Sequence, residues 1–242
     1  MKKITSVLFL FYCFSVGWAQ TVPPCTLEIT DAETFARDWT VIDVNSDVSA
    51  NTWAYNDGNA MYTQDKSNAA DDWLIAPAVT LEAGKAYKVS AYVKHSSTFG
   101  SDKQKIELKI GTAPTVEGLT TRLVYDESFQ SRLFVEKSGT FSPAESGVFY
   151  VGLRCYSESY NGDLYFQKIV IEEAPVYPAQ ITDLSIVAGE RGAMSATLSW
   201  TWPSSDHLGG ALSNLLGAKI YRGTDLVATL DTATVGGKAG WI

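Results

Sequence analysis

Ala86-Tyr87-Lys88-Val89-Ser90-Ala91-Tyr92-Val93-Lys94-His95 is the stretch that decides the fold. Tyr87, Val89, Ala91 and Val93 alternate with Lys88, Ser90, Tyr92 and Lys94, a period of two that suits an extended strand with one apolar face. After the polar loop 96–103, Ile106, Leu108 and Ile110 alternate in the same way with Glu107 and Lys109 as far as Gly111. Over 147–156, Phe149, Val151, Leu153 and Cys155 share one face, opposite Val148, Tyr150, Gly152 and Arg154, and 164–172 reads as a largely apolar closing strand. Between residues 26 and 173 no amphipathic helix of ten or more residues can be read, so the class is all-β. About 150 residues in roughly eight to ten short strands fit a two-sheet sandwich or jelly roll better than a barrel.

The 242 residues are 45% hydrophobic, 19% charged and 12% aromatic, a globular balance that excludes a disordered, collagen-like or multi-span membrane chain. Met1, Lys2 and Lys3 precede the apolar run 4–16 and the small-residue site Gly17-Trp18-Ala19, so 1–19 reads as a secretory signal peptide. No later apolar run approaches the length of a membrane helix, and no span is expected after cleavage. The expected location is therefore secreted or cell-surface. Cleavage removes two lysines and no acid, which leaves 17 Lys and Arg against 27 Asp and Glu. That surface repels nucleic acid. Cys13 leaves with the signal, and Leu10-Phe11-Tyr12 before it lacks the small residue of a lipid-attachment site. Cys25 and Cys155 remain, either as a disulfide closing a long loop in an oxidising compartment or as two thiols.

Glu172-Glu173-Ala174-Pro175-Val176-Tyr177-Pro178 has the composition of a linker, placed at 174–178 between a first domain at 26–173 and a second unit at 179–242. In the second unit 181–187, 196–203, 218–222 and 226–230 read as strands, with Gly223-Thr224-Asp225 as the turn between the last two. Ser199-Trp200-Thr201-Trp202-Pro203 and Ile220-Tyr221-Arg222-Gly223 resemble a fibronectin type III domain. Such a sandwich has seven strands in about 100 residues. The 65 residues from Pro178 to Ile242 supply four, so the domain is expected to be partial and the chain a fragment that leaves Leu198, Trp200 and Ile220 without cover.

In the first domain the phrases Trp39-Thr40-Val41-Ile42-Asp43, Asn51-Thr52-Trp53, Asp71-Asp72-Trp73-Leu74-Ile75-Ala76-Pro77 and Leu164-Tyr165-Phe166-Gln167-Lys168-Ile169-Val170-Ile171 resemble the cleaved-adhesin, or choice-of-anchor, jelly-roll domain of secreted Bacteroidetes proteins. The resemblance implies a β-jelly roll of the kind found in surface adhesins and appended to secreted proteases. It implies no single ligand, because one fold hosts many. Gln167 and Lys168 stand where many relatives carry acids, so no metal contact carries over to that position.

Asp43-x-Asn45-x-Asp47 has the alternating oxygen ligands that suit a hard cation, and structural calcium is weighed against a polar loop whose side chains bond their own backbone. Val48 and Ala54 occupy the positions where an EF-hand needs Gly and Glu, which excludes that motif. Sugars stack on flat rings, and Tyr55, Tyr156 and Tyr160 stand beside polar or glycine-rich residues. The last two flank Ser157-Glu158-Ser159 and lead into Asn161-Gly162-Asp163. Trp39 and Trp73 read as packed. Catalysis has little support: His95 and His207 are the only histidines, in different expected domains, and neither neighbours a nucleophile motif. The expected activity is that of an exported, non-catalytic module contacting glycan or a host or matrix protein. The alternatives are accessory domains of a longer secreted hydrolase and a structural spacer.

Overall fold

The computed structural model describes residues 21–45, 51–97, 102–207 and 209–242. The signal peptide expected at 1–19, and Asp47 of the candidate metal loop, lie outside the described residues.

Two antiparallel sheets form the first unit. Sheet one holds β1 (Cys25–Glu28), β3 (Trp53–Asn56), β4 (Asn59–Tyr62), β7 (Tyr87–His95), β10 (Val135–Phe141) and β12 (Leu164–Glu173). Its order is β10-β7-β12-β4-β3, with β1 also pairing β12. Sheet two holds β2 (Thr40–Asp43), β5 (Asp72–Ile75), β6 (Val79–Leu81), β8 (Gln104–Gly111), β9 (Thr121–Phe129) and β11 (Gly147–Cys155), in the order β2-β5-β11-β8-β9 with β6 beside β11. From β7 onward the chain passes between sheets at four connections, β7 to β8, β9 to β10, β10 to β11 and β11 to β12, and stays within sheet two only from β8 to β9. This is the path of a jelly-roll sandwich. The one helix among the described residues, α1 (Ala32–Asp38), is capped by Asp31, whose carboxylate accepts from the Thr34 N–H at 2.7 Å.

The alternation of β7 places Tyr87, Val89, Ala91 and Val93 in the core, and β11 contributes Phe149, Val151, Leu153 and Cys155 from the other side. β12 breaks strict alternation: Leu164 and Phe166 are buried, and so are Ile169 and Ile171. Gln167 is the extra residue of a bulge, since Phe166 lies opposite Val93 while Lys168 lies opposite Tyr92. The bulge returns the strand to register, so both apolar pairs face inward. Trp39 packs edge-on against Phe166 at 5.2 Å. Trp73 is buried too, but outside the sandwich, in a small cluster with Ile75 and Leu119 on the outer face of sheet two.

The two cysteines are free thiols, and the bridge between them is corrected. Cys25 sits opposite Ile171 at one end of β12, whereas Cys155 lies beside Gln104, whose amide reaches Gly162 at the other end. The strand from Leu164 to Ile171 separates those ends by roughly 20 Å, beyond the reach of a disulfide.

In the second unit β13 (Ser185–Ala188), β14 (Ala196–Thr201) and β17 (Lys238–Trp241) form one sheet, and β15 (Ala218–Arg222) and β16 (Asp225–Leu230) a hairpin. The stretch after the four expected strands supplies β17, which pairs with β14 and sets Ala239 opposite Trp200. Trp200 is covered, contrary to expectation, and packs edge-on against Trp202 at 5.4 Å. Leu198 and Ile220 are half-buried.

Candidate functional site

β11 turns Val151, Leu153 and Cys155 inward, which leaves Arg154 and then Tyr156 on the outer face of sheet two. Register sets Arg154 opposite both Trp73 on β5 and Glu107 on β8, and Glu107 opposite Tyr125 on β9. A row of Trp73, Arg154, Glu107 and Tyr125 therefore crosses four strands. Loop residue Leu119 covers one end of this face, over Trp73. Gly152 lies beneath it without a side chain, because a Cβ there would run into Leu119 and the Trp73 ring.

Glu107 is only 2% exposed, so its charge depends on the cations around it. Arg122 Nε donates to it at 2.6 Å, and Lys109 Nζ and Arg154 Nη1 each lie 3.6 Å away. Arg154 Nε donates to Asp71 Oδ1 at 2.7 Å, which raises the guanidinium above its ordinary range and fixes the side chain along the sheet. Asp71 and Asp72 diverge as successive strand residues do, Asp71 toward Arg154 and Asp72 into the interior.

At the open end the rings of Tyr125 and Tyr156 stack, with centroids 5.9 Å apart and planes 22° from parallel. Arg122 lies over the Tyr125 ring at 4.6 Å and Arg154 over the Tyr156 ring at 5.1 Å. Tyr125 is 50% exposed, and its hydroxyl donates to Glu127 at 2.7 Å. Burial, and next the neighbouring Tyr125 hydroxyl, push the Tyr156 phenol far above its usual range, so it stays neutral. Lys105 and Glu158 pair at 2.7 Å nearby. The result is a flat, half-exposed ring surface bordered by carboxylates and cations that are already paired. A pyranose can lay its C–H face on such a ring while adjacent hydroxyls bond the rim.

Neither a protein-family model nor a curated protein sequence matches the chain. Solved structures do. The K3 cleaved adhesin domain of Lys-gingipain from Porphyromonas gingivalis W83 is similar at 13% identity and a TM-score of 0.45, over 60% of this chain and 97% of that one. The K1 domain of the same protein is similar at 15% identity and a TM-score of 0.45, over 62% and 99%. The CBM22-1 xylan-binding domain of Xyn10C from Paenibacillus barcinonensis is similar at 14% identity and a TM-score of 0.38, over 64% and 97%.

The structure brings together only part of the set expected from sequence. Tyr156 is in the platform, but its ring partner is Tyr125, which sequence reasoning missed together with Glu107, Arg122 and Arg154. Tyr160 is 64% exposed in the following loop with φ of 67°, and its N–H donates to the Asp65 carbonyl at 2.8 Å. Tyr55 packs against the core from β3, on the other sheet. Asp43 ends β2 opposite Asp72, and Asn45 Nδ2 donates to the Ala69 carbonyl at 2.7 Å. Among the described residues no group of three or more His, Cys, Asp or Glu is placed to hold a metal. His95 is buried, and its Nε2 meets the Asn161 carbonyl at 2.5 Å. Gln104 donates to that carbonyl and to Gly162, and accepts from Ser157. This network ties loop 156–163 to β8. Its Ser157 hydroxyl and the Cys155 thiol are both buried and turned onto Gln104.

A cleft of about 410 Å³ between Arg37, Asp38, Pro77, Pro114, Val148 and Tyr150 has less to offer. Its one ionic pair, Arg37 with Asp38 at 2.7 Å, is self-satisfied and exposed.

Proposed function

We propose that this chain is an exported, non-catalytic binding module that holds a neutral glycan on the Tyr125–Tyr156 platform of sheet two. The stacked, half-exposed ring pair carries the reading. Neutrality is supported by the rim, where the four cations Arg122, Lys109, Arg154 and Lys105 are matched by the four carboxylates Glu107, Asp71, Glu158 and Glu127, leaving no net charge for an ionic ligand. Export is supported by the leader read at 1–19. Among the described residues no helix is long and apolar enough to cross a membrane.

Screening the mature chain against a panel of neutral and charged oligosaccharides tests the reading, with Tyr125→Ala in parallel. The expected result is binding of one or more neutral glycans by the wild type, weakened at least tenfold in the variant. A wild type that binds no neutral glycan overturns it.

A further inference from the structure

The outer face of sheet one carries a different chemistry. Register again sets out the rows. Lys94 lies opposite Tyr165, which lies opposite Met61. One step along, Glu136, Tyr92, Lys168 and Glu28 form the next row across β10, β7, β12 and β1. The bulge at Gln167 makes this arrangement, because it lets Tyr165 and Lys168 point the same way although three positions separate them.

Lys94 is the unusual member. Its Nζ sits between two rings, 4.5 Å from the Tyr165 centroid and 4.8 Å from that of Phe134. Among the described residues no carboxylate lies within 4.0 Å of it, although its neighbours are paired: Lys88 with Glu136 at 2.5 Å and Lys168 with Glu28 at 3.9 Å. Lys168 also lies 5.1 Å over the Tyr92 ring. Ring faces attract an ammonium group but do not neutralise it. In a chain with 27 acids and 19 bases, a half-buried lysine left without an acid is a site short of an anion.

We infer that the outer face of sheet one is a second saccharide site, selective for carboxylated sugars, in which Lys94 anchors the carboxylate and the rings of Tyr165, Phe134 and Tyr92, with the lysines over their faces, frame the sugar. Charge complementarity chooses the anion. The sugar follows from the place: Lys94, Tyr92 and Tyr165 stand on the inner strands β7 and β12, with only Phe134 beside the edge strand β10, whereas an acidic peptide would add as a strand along the edge. The site is independent of the platform on sheet two, since the two occupy opposite outer faces of the sandwich.

Titrating the full mature chain with oligogalacturonate and with its carboxyl-reduced counterpart tests the assignment. Binding of the acidic form should be at least tenfold tighter, and should weaken as salt is raised. Lys94→Met keeps the aliphatic stem and should lose tenfold or more with an unchanged melting midpoint. Lys168→Met is the second variant should the first fail to fold, with a several-fold loss expected. Tyr125→Ala should leave uronate binding intact. Equal affinity for the reduced polymer, no binding of the acidic one, full affinity in the lysine variants, or loss in Tyr125→Ala overturns the site. Polyglutamate binding as tightly as the uronate overturns its assignment to a sugar.

Discussion

Replacing Arg154 by Met should loosen the platform by a calculable amount. The side chain keeps its stem over the Trp73 and Tyr156 rings, which its guanidinium now faces at 5.7 and 5.1 Å. What it loses is the 2.7 Å bond to Asp71, between side chains 29% and 26% exposed, and one of the three cations around Glu107. A hydrogen bond to a charged group is worth about 1.5–3 kcal/mol, and the partial exposure puts this one at the lower end. Glu107 keeps Arg122 at 2.6 Å, so its share adds less than about 1 kcal/mol. The sum is about 1.5–2.5 kcal/mol. For a unit of this size that lowers Tm by about 3–10 °C. Urea unfolding of wild type, Arg154→Met, Asp71→Asn and the double variant measures it as a cycle. Coupling of about 1 kcal/mol or more is expected between the two positions. A loss under about 0.5 kcal/mol, or strict additivity, would show that the face is held by packing alone and refute the reasoning.

Three further outcomes follow from the same geometry. Mass measurement of the mature chain before and after reduction should show two thiols and no bridge, with Cys155 unreactive when folded, because burial pushes its thiol up to about 12; a shift of two mass units on reduction would contradict this. Structural calcium, weighed in the sequence for Asp43, Asn45 and Asp47, would raise the melting midpoint relative to chelator; an unchanged midpoint leaves the polar-loop alternative. Asp65 accepts from the N–H groups of Ser67 and Asn68 and from Asn51, which hold its carboxyl well below the usual range. Its stabilising effect is therefore full above the unfolded value of about 4 and lost as pH falls through the folded one. The midpoint gap between wild type and Asp65→Asn should shrink from pH 5 to pH 2, and a constant gap would contradict the assignment.

The core strands β7 and β11 were legible because each buries one face and leaves the other wet, so polarity repeats every second residue. β12 was legible in extent but not in facing, since the bulge at Gln167 shifts which residues point inward. The same effect hid the platform. In β9 a register irregularity lets Arg122 and Tyr125 meet on one face although three positions separate them, and simple alternation puts them on opposite faces. Tyr156 stood out through its polar loop, whereas Tyr125 sits in Thr121–Phe129, whose mixed charges suggest only a solvated strand. Glu107 alternates with apolar neighbours like any wet-face residue, and alternation alone does not show that it is buried with Arg122, Lys109 and Arg154 around it. The choice between a bridge and two thiols stayed open for Cys25 and Cys155 for a related reason, because spacing along a chain does not give distance across a sandwich. β17 lacks a pattern altogether, as Lys238-Ala239-Gly240-Trp241 is short and carries a glycine.

Calorimetric titration of the tightest neutral oligosaccharide into wild type, Tyr125→Ala and Tyr160→Ala is the most direct test of the central claim. Removing one flat ring from the platform should weaken Tyr125→Ala about tenfold, or about 1.4 kcal/mol, while Tyr160→Ala binds as the wild type does and both melt normally. Unchanged affinity in Tyr125→Ala, with the weakening confined to Tyr160→Ala, would contradict the account and move the site to the loop after β11.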